Sequence, residues 1–407
     1  MRSFSLSSII GLCVGIIVID LLAYFWLQDI TDLFPSPELR TLIDILFWIF
    51  TIGLVTAILV LKIRLDNIPA KRRNQLITRL YGLTVSSFIP KIIFVLVISL
   101  LYALNITIEE KPSKVVVPLV GLFSGVLPFA VVLYGIFKAV YRFKVYHVET
   151  HHKTWPKSLD GFKIVQLSDL HLGSFNHRYH VLEKAIRLVN ELDADLIVLT
   201  GDLVNNYAWE LEGWEHHFKR LKAGIAKFAV LGNHDYGDYS KWPTEKEKQD
   251  NFNKIKDFFP KTGFKLLMNQ TEEIEIDGHI FNLIGIENWS HKKKHRYGNL
   301  QAAIAGLELE RFSVLLSHDP DHWAAEVEGK LPIELTLAGH THGMQMGFRF
   351  KNQQWSPIKY KFRYWAGLYQ QKDQYLYVNR GLGWLGFPGR IGMRPEITCI
   401  ELKSNGS

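Results

Sequence analysis

Phe228-Ala229-Val230-Leu231-Gly232-Asn233-His234-Asp235-Tyr236 sets an apolar run directly against a polar cluster. A short apolar run of this kind suits a strand buried on both faces, and it ends here in a loop of ligands. An Asn amide oxygen can bind a hard or borderline metal ion, and a His beside it can protonate whatever the ion holds. The pattern recurs four more times, in Leu167-Ser168-Asp169-Leu170-His171, Thr200-Gly201-Asp202, Ser317-His318-Asp319-Pro320 and Gly339-His340-Thr341-His342-Gly343. Asp169 and His171, like His340 and His342, are spaced i and i+2. On an extended backbone each pair would face one ion from the same side. Asp202, at a Gly-assisted turn, suits a bridge between two ions through its two carboxylate oxygens.

Around these blocks the chain alternates β and α signals. Strands are predicted at 162–167, 195–200, 227–231, 264–267, 272–276, 280–285, 312–317, 335–338, 375–379 and 397–402, with helices over 180–192 and 209–221. Short apolar strands buried on both faces predict an α/β domain of two packed mixed sheets flanked by helices.

Composition sets the wider frame. The 407 residues are 48% hydrophobic, with the excess in the first third, and carry a net charge of +7. Cys13 and Cys399 are the two cysteines, so no disulfide framework or thiolate metal site is available, and a metal must use His, Asp, Glu or Asn. The densest basic clusters, 62–79 and 349–363, do not resemble a nucleic-acid stripe on a helix, and no nucleic-acid partner is expected.

Four apolar stretches near 6–27, 41–61, 83–104 and 115–137 have the length of membrane spans, about twenty residues each. The chain therefore divides into a four-helix transmembrane bundle over 1–144, a polar stretch over 145–161 that contains His147, His151 and His152 and reads as a solvated connector or edge strand, and the α/β domain over 162–407. The loop 62–79 holds six Lys and Arg against Asp66 alone. The positive-inside rule puts that loop, the N-terminus and everything after Phe137 in the cytoplasm of a cell with the bundle in its inner membrane. Asp20 and Asp44 fall in or near the spans without a basic partner expected there, which favours helix packing over ion transport. Pro118 and Pro128 suggest a kinked fourth helix.

Taken together, the five blocks resemble the calcineurin-like metallophosphoesterase superfamily, and the likeness covers nearly all of the chain after Phe162. It implies a first metal on Asp169, His171, Asp202 and His342 and a second on Asp202, Asn233, His318 and His340. It assigns His234 to stabilising or protonating the leaving oxygen, with Asp235 either orienting that histidine or capping the loop. Two divalent ions about 3.5–4 Å apart would activate a hydroxide and clamp a phosphate. The mixed nitrogen and oxygen donors fit manganese, iron, zinc or cobalt, and the cytoplasmic placement favours manganese. Asn205 stands where many relatives carry Asp, and Met344 interrupts the Gly-Gly-Gln that commonly follows the last His. Asn379–Gly383, Pro388–Gly392 and Arg394–Ile397 are similar to membrane-attached bacterial members related to UDP-2,3-diacylglucosamine pyrophosphatases. Arg390 or Arg394 could then hold a substrate phosphate, the alternative being a structural pair such as Arg394 with Glu396.

The implied protein is a membrane-anchored phosphohydrolase acting on a lipid-linked phosphoester or pyrophosphate. Two alternatives stand beside it, the same chemistry on a soluble nucleotide or small phosphoester, and an inactive membrane sensor or transporter. Segment 349–363, basic and aromatic with Lys359 at its centre, suits a lid resting on the bilayer, or else a solvated strand. The other histidines are expected to be surface or structural, with His177 and His322, which flank the first and fourth blocks, the readiest exceptions. Oligomeric state is not legible.

Overall fold

The computed structural model describes residues 5–107, 115–175, 178–350 and 353–405. His177, Lys351 and most of the predicted loop 105–114 lie outside them. The chain forms two compact units, one of residues 140–385 with 390–407 and one of residues 2–139 with 386–389.

The second unit holds helices α1 (Leu6–Thr31), α2 (Pro37–Arg64), α3 (Ala70–Thr107) and α4 (Val116–Phe137), each long and apolar enough to cross a membrane. Ser5 and Ser36 cap the first two through bonds from the Ser8 and Leu39 N–H groups. Their outward residues, including Phe25, Ile49, Leu96, Phe123 and Leu127, are apolar and exposed, as a lipid-facing surface requires. Two expectations are corrected here. The basic stretch is not a loop, because α3 begins at Ala70 and carries Lys71, Arg72, Arg73 and Arg79 on its first turns. Asp20 does have a basic partner, since Lys91 inside α3 brings Nζ to 2.7 Å from Oδ1, while Thr51 of α2 donates to Oδ2 at 2.5 Å. Helical winding turns Lys91 inward, so the charge that interrupts the third apolar run neutralises the one that interrupts the first. Asp44 accepts from Gln28 at 3.0 Å. Pro118 falls in the first turn of α4, where its missing N–H costs no bond, and the helix continues through Pro128.

The first unit contains strands β1 (Lys144–His152), β2 (Phe162–Leu167), β3 (Leu196–Thr200), β4 (Ala226–Val230), β5 (Phe264–Leu266), β6 (Gln270–Ile276) and β7 (His279–Gly285). After these come β8 (Ser313–Leu316), β9 (Leu335–Ala338), β10 (Phe348–Phe350), β11 (Gln353–Trp355), β12 (Gly367–Gln371), β13 (Gln374–Val378) and β14 (Glu396–Ser404). One sheet runs β1-β14-β2-β3-β4-β5, a second runs β12-β13-β9-β8-β7-β6, and β10-β11 is a separate hairpin. Strand β3 shows why the sheets stack. All five of its residues are buried; Leu196 and Val198 join Val314, Leu316, Leu335 and Leu337 of the other sheet. Ile197 and Leu199 point the opposite way, into the core beneath helix α5 (Tyr179–Asn190). Each such side chain contributes roughly 1.5–3 kcal/mol on burial.

Of the polar segment 145–161, the part up to His152 is β1, an edge strand paired in parallel with β14 from Lys144 to His152. An edge strand with one open face has little need of apolar side chains, which accounts for its polar composition. The helix predicted at 209–221 is two single turns, Ala208–Leu211 and Glu215–Phe218, and a helix over Glu245–Lys261 was not predicted.

Candidate metal centre

Strands β2, β3 and β4 run parallel in one sheet, β8 and β9 in the other, and their carboxyl ends carry the five polar blocks. Main-chain bonds tie the loops to each other: Asp169 N–H to Gly201 O at 3.0 Å, His171 N–H to Asp202 O at 3.1 Å and Gly339 N–H to His318 O at 2.9 Å. The loops are not extended, as the i, i+2 argument assumed. Asp169, His171, Asp202, His340 and His342 all have φ between 45° and 71°. Left-handed backbone costs a non-glycine residue about 1–2 kcal/mol, and its concentration on these residues is the strain expected where side chains are held for chemistry. Gly201, at φ 87°, is required twice over, since a Cβ there would lie 2.6 Å from Gly232 N and 2.7 Å from His318 Nδ1.

Two donor groups result. Asp169, His171, Asp202 and His342 offer ligand atoms within 4.8 Å of one another, and so do Asp202, His318 and His340. Asn233 adds its Oδ1 at 3.1 Å from His318 Nε2. Asp202 belongs to both groups through one oxygen. Oδ2 lies 3.5 Å from His171 Nε2 and 3.3 Å from His318 Nε2, while Oδ1 accepts the His234 N–H at 2.9 Å. The expected use of both carboxylate oxygens is corrected accordingly. Ser168 and the His340 N–H hold Asp169 in place, at 2.6 Å and 3.0 Å.

The donor set fits divalent ions. His318 Nδ1 lies 2.8 Å from Thr200 O, a carbonyl that can only accept, so Nδ1 donates and Nε2 of the neutral ring presents a lone pair. Asn233 Nδ2 donates to Tyr239 Oη at 3.0 Å, which turns its Oδ1 inward. Lone pairs of His318, Asn233, Asp202 and His340 therefore converge, with His340 Nδ1 3.2 Å from His318 Nε2. Buried acceptors facing each other call for a cation. Without one, a proton substitutes: burial alone would lower the His318 pKa, but the Asp202 carboxylate overrides it and pushes it up to about 10. Burial raises Asp169 to about 7 and lowers His171 to about 3.

The other expected site residues separate. His234 Nδ1 is 2.7 Å from Asn205 O, and its ring stacks on Tyr239 at 4.5 Å. Asp235 does not orient it. Its buried carboxylate accepts from the N–H groups of Gly232, Asp202, Leu203 and Val204 at 2.9–3.2 Å, which caps two loops, and burial pushes its pKa up to about 7. Arg390 is fully buried, and its guanidinium bonds the carbonyls of Arg380, Gly381, Gly383 and Met393. It braces the loop that crosses Asp169, where Gly383 N–H meets Asp169 O at 2.9 Å, and it is not presented to substrate. Arg394 bonds Arg142 O and Phe143 O at 2.9 and 3.2 Å; Glu396 pairs with Arg380 instead, at 2.5 Å. Lys359 sits on an exposed turn over the Tyr360 ring, outside the donor groups. His322 is buried against Ser317 Oγ at 3.0 Å. Tyr239 and Glu210 went unnoticed in the sequence, since an aromatic in a loop and a Glu in a short turn carry no spacing signal.

Residues 162–344 match the family described as calcineurin-like phosphoesterase, and residues 2–140 match that described as probable calcineurin-like phosphoesterase, transmembrane domain. The chain is 32% identical over 298 residues to the uncharacterized metallophosphoesterase YkuE of Bacillus subtilis, covering 70% of this chain and 96% of that one. It is 29% identical over 280 residues to a transmembrane protein with metallophosphoesterase domain of Danio rerio, covering 67% and 60% respectively. With phosphodiesterase YaeI of Escherichia coli the identity is 32% over 243 residues, covering 59% and 82%. The chain belongs to the calcineurin-like metallophosphoesterases. It is a multi-pass membrane protein whose α/β domain is a metal-dependent phosphoric ester hydrolase.

Proposed function

We propose that the enzyme hydrolyses a phosphoester or pyrophosphate bond in a lipid-linked substrate, on the cytoplasmic side of the inner membrane, with manganese as its metal. Asp169, His171, Asp202 and His342 would hold one ion and Asp202, Asn233, His318 and His340 the other. Bound ions of this kind supply Lewis acidity and activation of water. The chain's own contribution is the proton. His234 directs Nδ1–H to Asn205 O, so the proton for the departing oxygen is the one the imidazolium would carry on Nε2; burial lowers the pKa of this ring and the Asp202 carboxylate opposes that, and Tyr239 holds the ring by stacking.

The observation that carries the lipid reading is the β10–β11 hairpin. It leaves the loop of His340 and His342 directly and returns to it, Thr341 Oγ1 donating to Trp365 O at 2.6 Å and Ser356 Oγ to Gly343 O at 2.9 Å. Phe362 packs its ring 5.5 Å from that of His340. The hairpin exposes Phe348 and Phe350 by 57% and 69%, with Tyr360 at 78% on the next turn beside Lys359. Exposed aromatic rings beside cations are costly in water and suit the headgroup level of an anionic bilayer. Trp355 is half-buried under Phe348, so Phe348 and Phe350 are better probes than Trp355.

The test uses the full-length protein in vesicles containing anionic lipid. Phe348→Ser with Phe350→Ser and Tyr360→Ser should lower activity on a lipid pyrophosphate at least about 10-fold and leave a soluble nitrophenyl phosphodiester within about 2-fold. Each exposed ring contributes on the order of 1–2 kcal/mol of apolar burial. Equal losses on both substrates, or none on either, would return the enzyme to a soluble phosphoester.

A further inference from the structure

One buried carboxyl group near the centre has no part in the chemistry above. Glu210, 1% exposed in the turn Ala208–Leu211, takes main-chain partners. It accepts the N–H of Asn205 at 2.5 Å and of Tyr207 at 3.3 Å, and the N–H of Asn206 between them. Gly173 makes the room, since a Cβ there would lie 2.4 Å from Oε2. Burial pushes this carboxyl up to about 8 against the pull of its N–H donors, so placing it here costs stability. What it holds is the loop whose Asn205 carbonyl receives the His234 Nδ1–H at 2.7 Å. The Asn205–Asn206 peptide group thus has its N–H on Glu210 and its C=O on His234. Neither Asp235 nor the Asn205 side chain touches the imidazole as an orienting carboxylate would.

We propose that Glu210 is the positioning residue for His234: by holding the Asn205–Asn206 peptide plane it keeps Nδ1–H on the Asn205 carbonyl and so sets where Nε2 points. The inference rests on His234 serving as proton donor to the leaving oxygen. A leaving group that departs as a weak base needs no such proton, and that provides the test.

Glu210→Gln keeps the shape and removes one acceptor oxygen. In the full-length enzyme it should lower kcat about 10- to 100-fold on an alkyl phosphodiester and less than about 3-fold on a nitrophenyl ester, a part of the 10²–10⁴ range of general acid catalysis. KM and bound metal should stay unchanged. In a His234→Ala background the same substitution should cost less than about 2-fold, because residues acting as one unit are not additive. Gly173→Ala, which crowds the carboxyl without altering any ionisable group, should give the same leaving-group-selective loss and serves if Glu210→Gln does not fold. Equal losses on both substrates, metal loss, full additivity with His234→Ala, or failure of both variants to fold would make Glu210 scaffold and overturn the proposal. If His234→Ala itself does not discriminate between leaving groups, the proton-donor reading falls and this inference with it. If it does discriminate and Glu210→Gln does not, only the inference falls.

Discussion

Both oxygens of Asp202 are committed, Oδ2 to the two donor groups and Oδ1 to the His234 main chain. Asp202→Asn removes the shared negative charge at the junction of two ion sites, so it should lose both ions and activity together. His234 contributes no ligand atom to either group, and His234→Ala should keep the metal and lose turnover by about 10²–10⁴-fold on a poor leaving group. Metal content measured beside kinetics decides between these outcomes; a metal-free His234→Ala enzyme or a full and active Asp202→Asn enzyme would refute the division of roles. The donor residues were legible because each stands just beyond an apolar run. For Asp235, Arg390 and Arg394 the sequence left a structural role and a role in the reaction both open, because what a side chain bonds depends on main chain that arrives from elsewhere. Arg390 is charged and close in sequence to a loop near the metals, yet four carbonyls of that same loop fill its guanidinium.

Among the elements, β1 carries the least expected chemistry. His152 at its end is 2% exposed and wedged between Phe312 and Tyr375, ring centroids 4.7 and 5.0 Å away, with no hydrogen-bond partner for either nitrogen among the described residues. Burial, reinforced by His151, lowers its pKa from 6.5 to about 4. Between these values the unfolded chain binds more protons than the folded one, so the fold is fully stable with respect to this group above about pH 6.5 and loses stability as pH falls towards 4. The loss is at most about 3 kcal/mol. His152→Phe fits the same aromatic slot and should flatten the slope of chemical-denaturation stability between pH 6.5 and 4; an unchanged slope would assign the acid sensitivity elsewhere. In the bundle, Lys91 lies between Pro90 and Ile92, where it reads as a break in an apolar run. Only helix packing brings it to Asp20.

At the scale of the whole molecule, the basic residues from Lys62 to Arg79 surround the turn between α2 and α3. They should hold that turn, and with it the α/β domain after α4, in the cytoplasm. A reporter fused after Ser407 should be active only as a cytoplasmic fusion. A periplasmic signal would mean that one of the four helices does not cross.

The sequence by itself determined the division into an apolar helical part and an α/β part, and singled out the polar side chains that gather into the two donor groups. Both are matters of local composition and period: a span is defined by its length of apolar residues and a buried strand by its uniform burial, and neither depends on partners. Only the tertiary structure decided how those side chains serve. The left-handed turns at Asp169, His171, Asp202, His340 and His342, the single shared oxygen of Asp202, the main-chain cap on Asp235 and the Glu210–Asn205–His234 chain all arise where loops from different strands meet. Hydrogen bonds between such loops join residues as distant in sequence as Asp169 and Gly383, and no short window along the chain contains both partners.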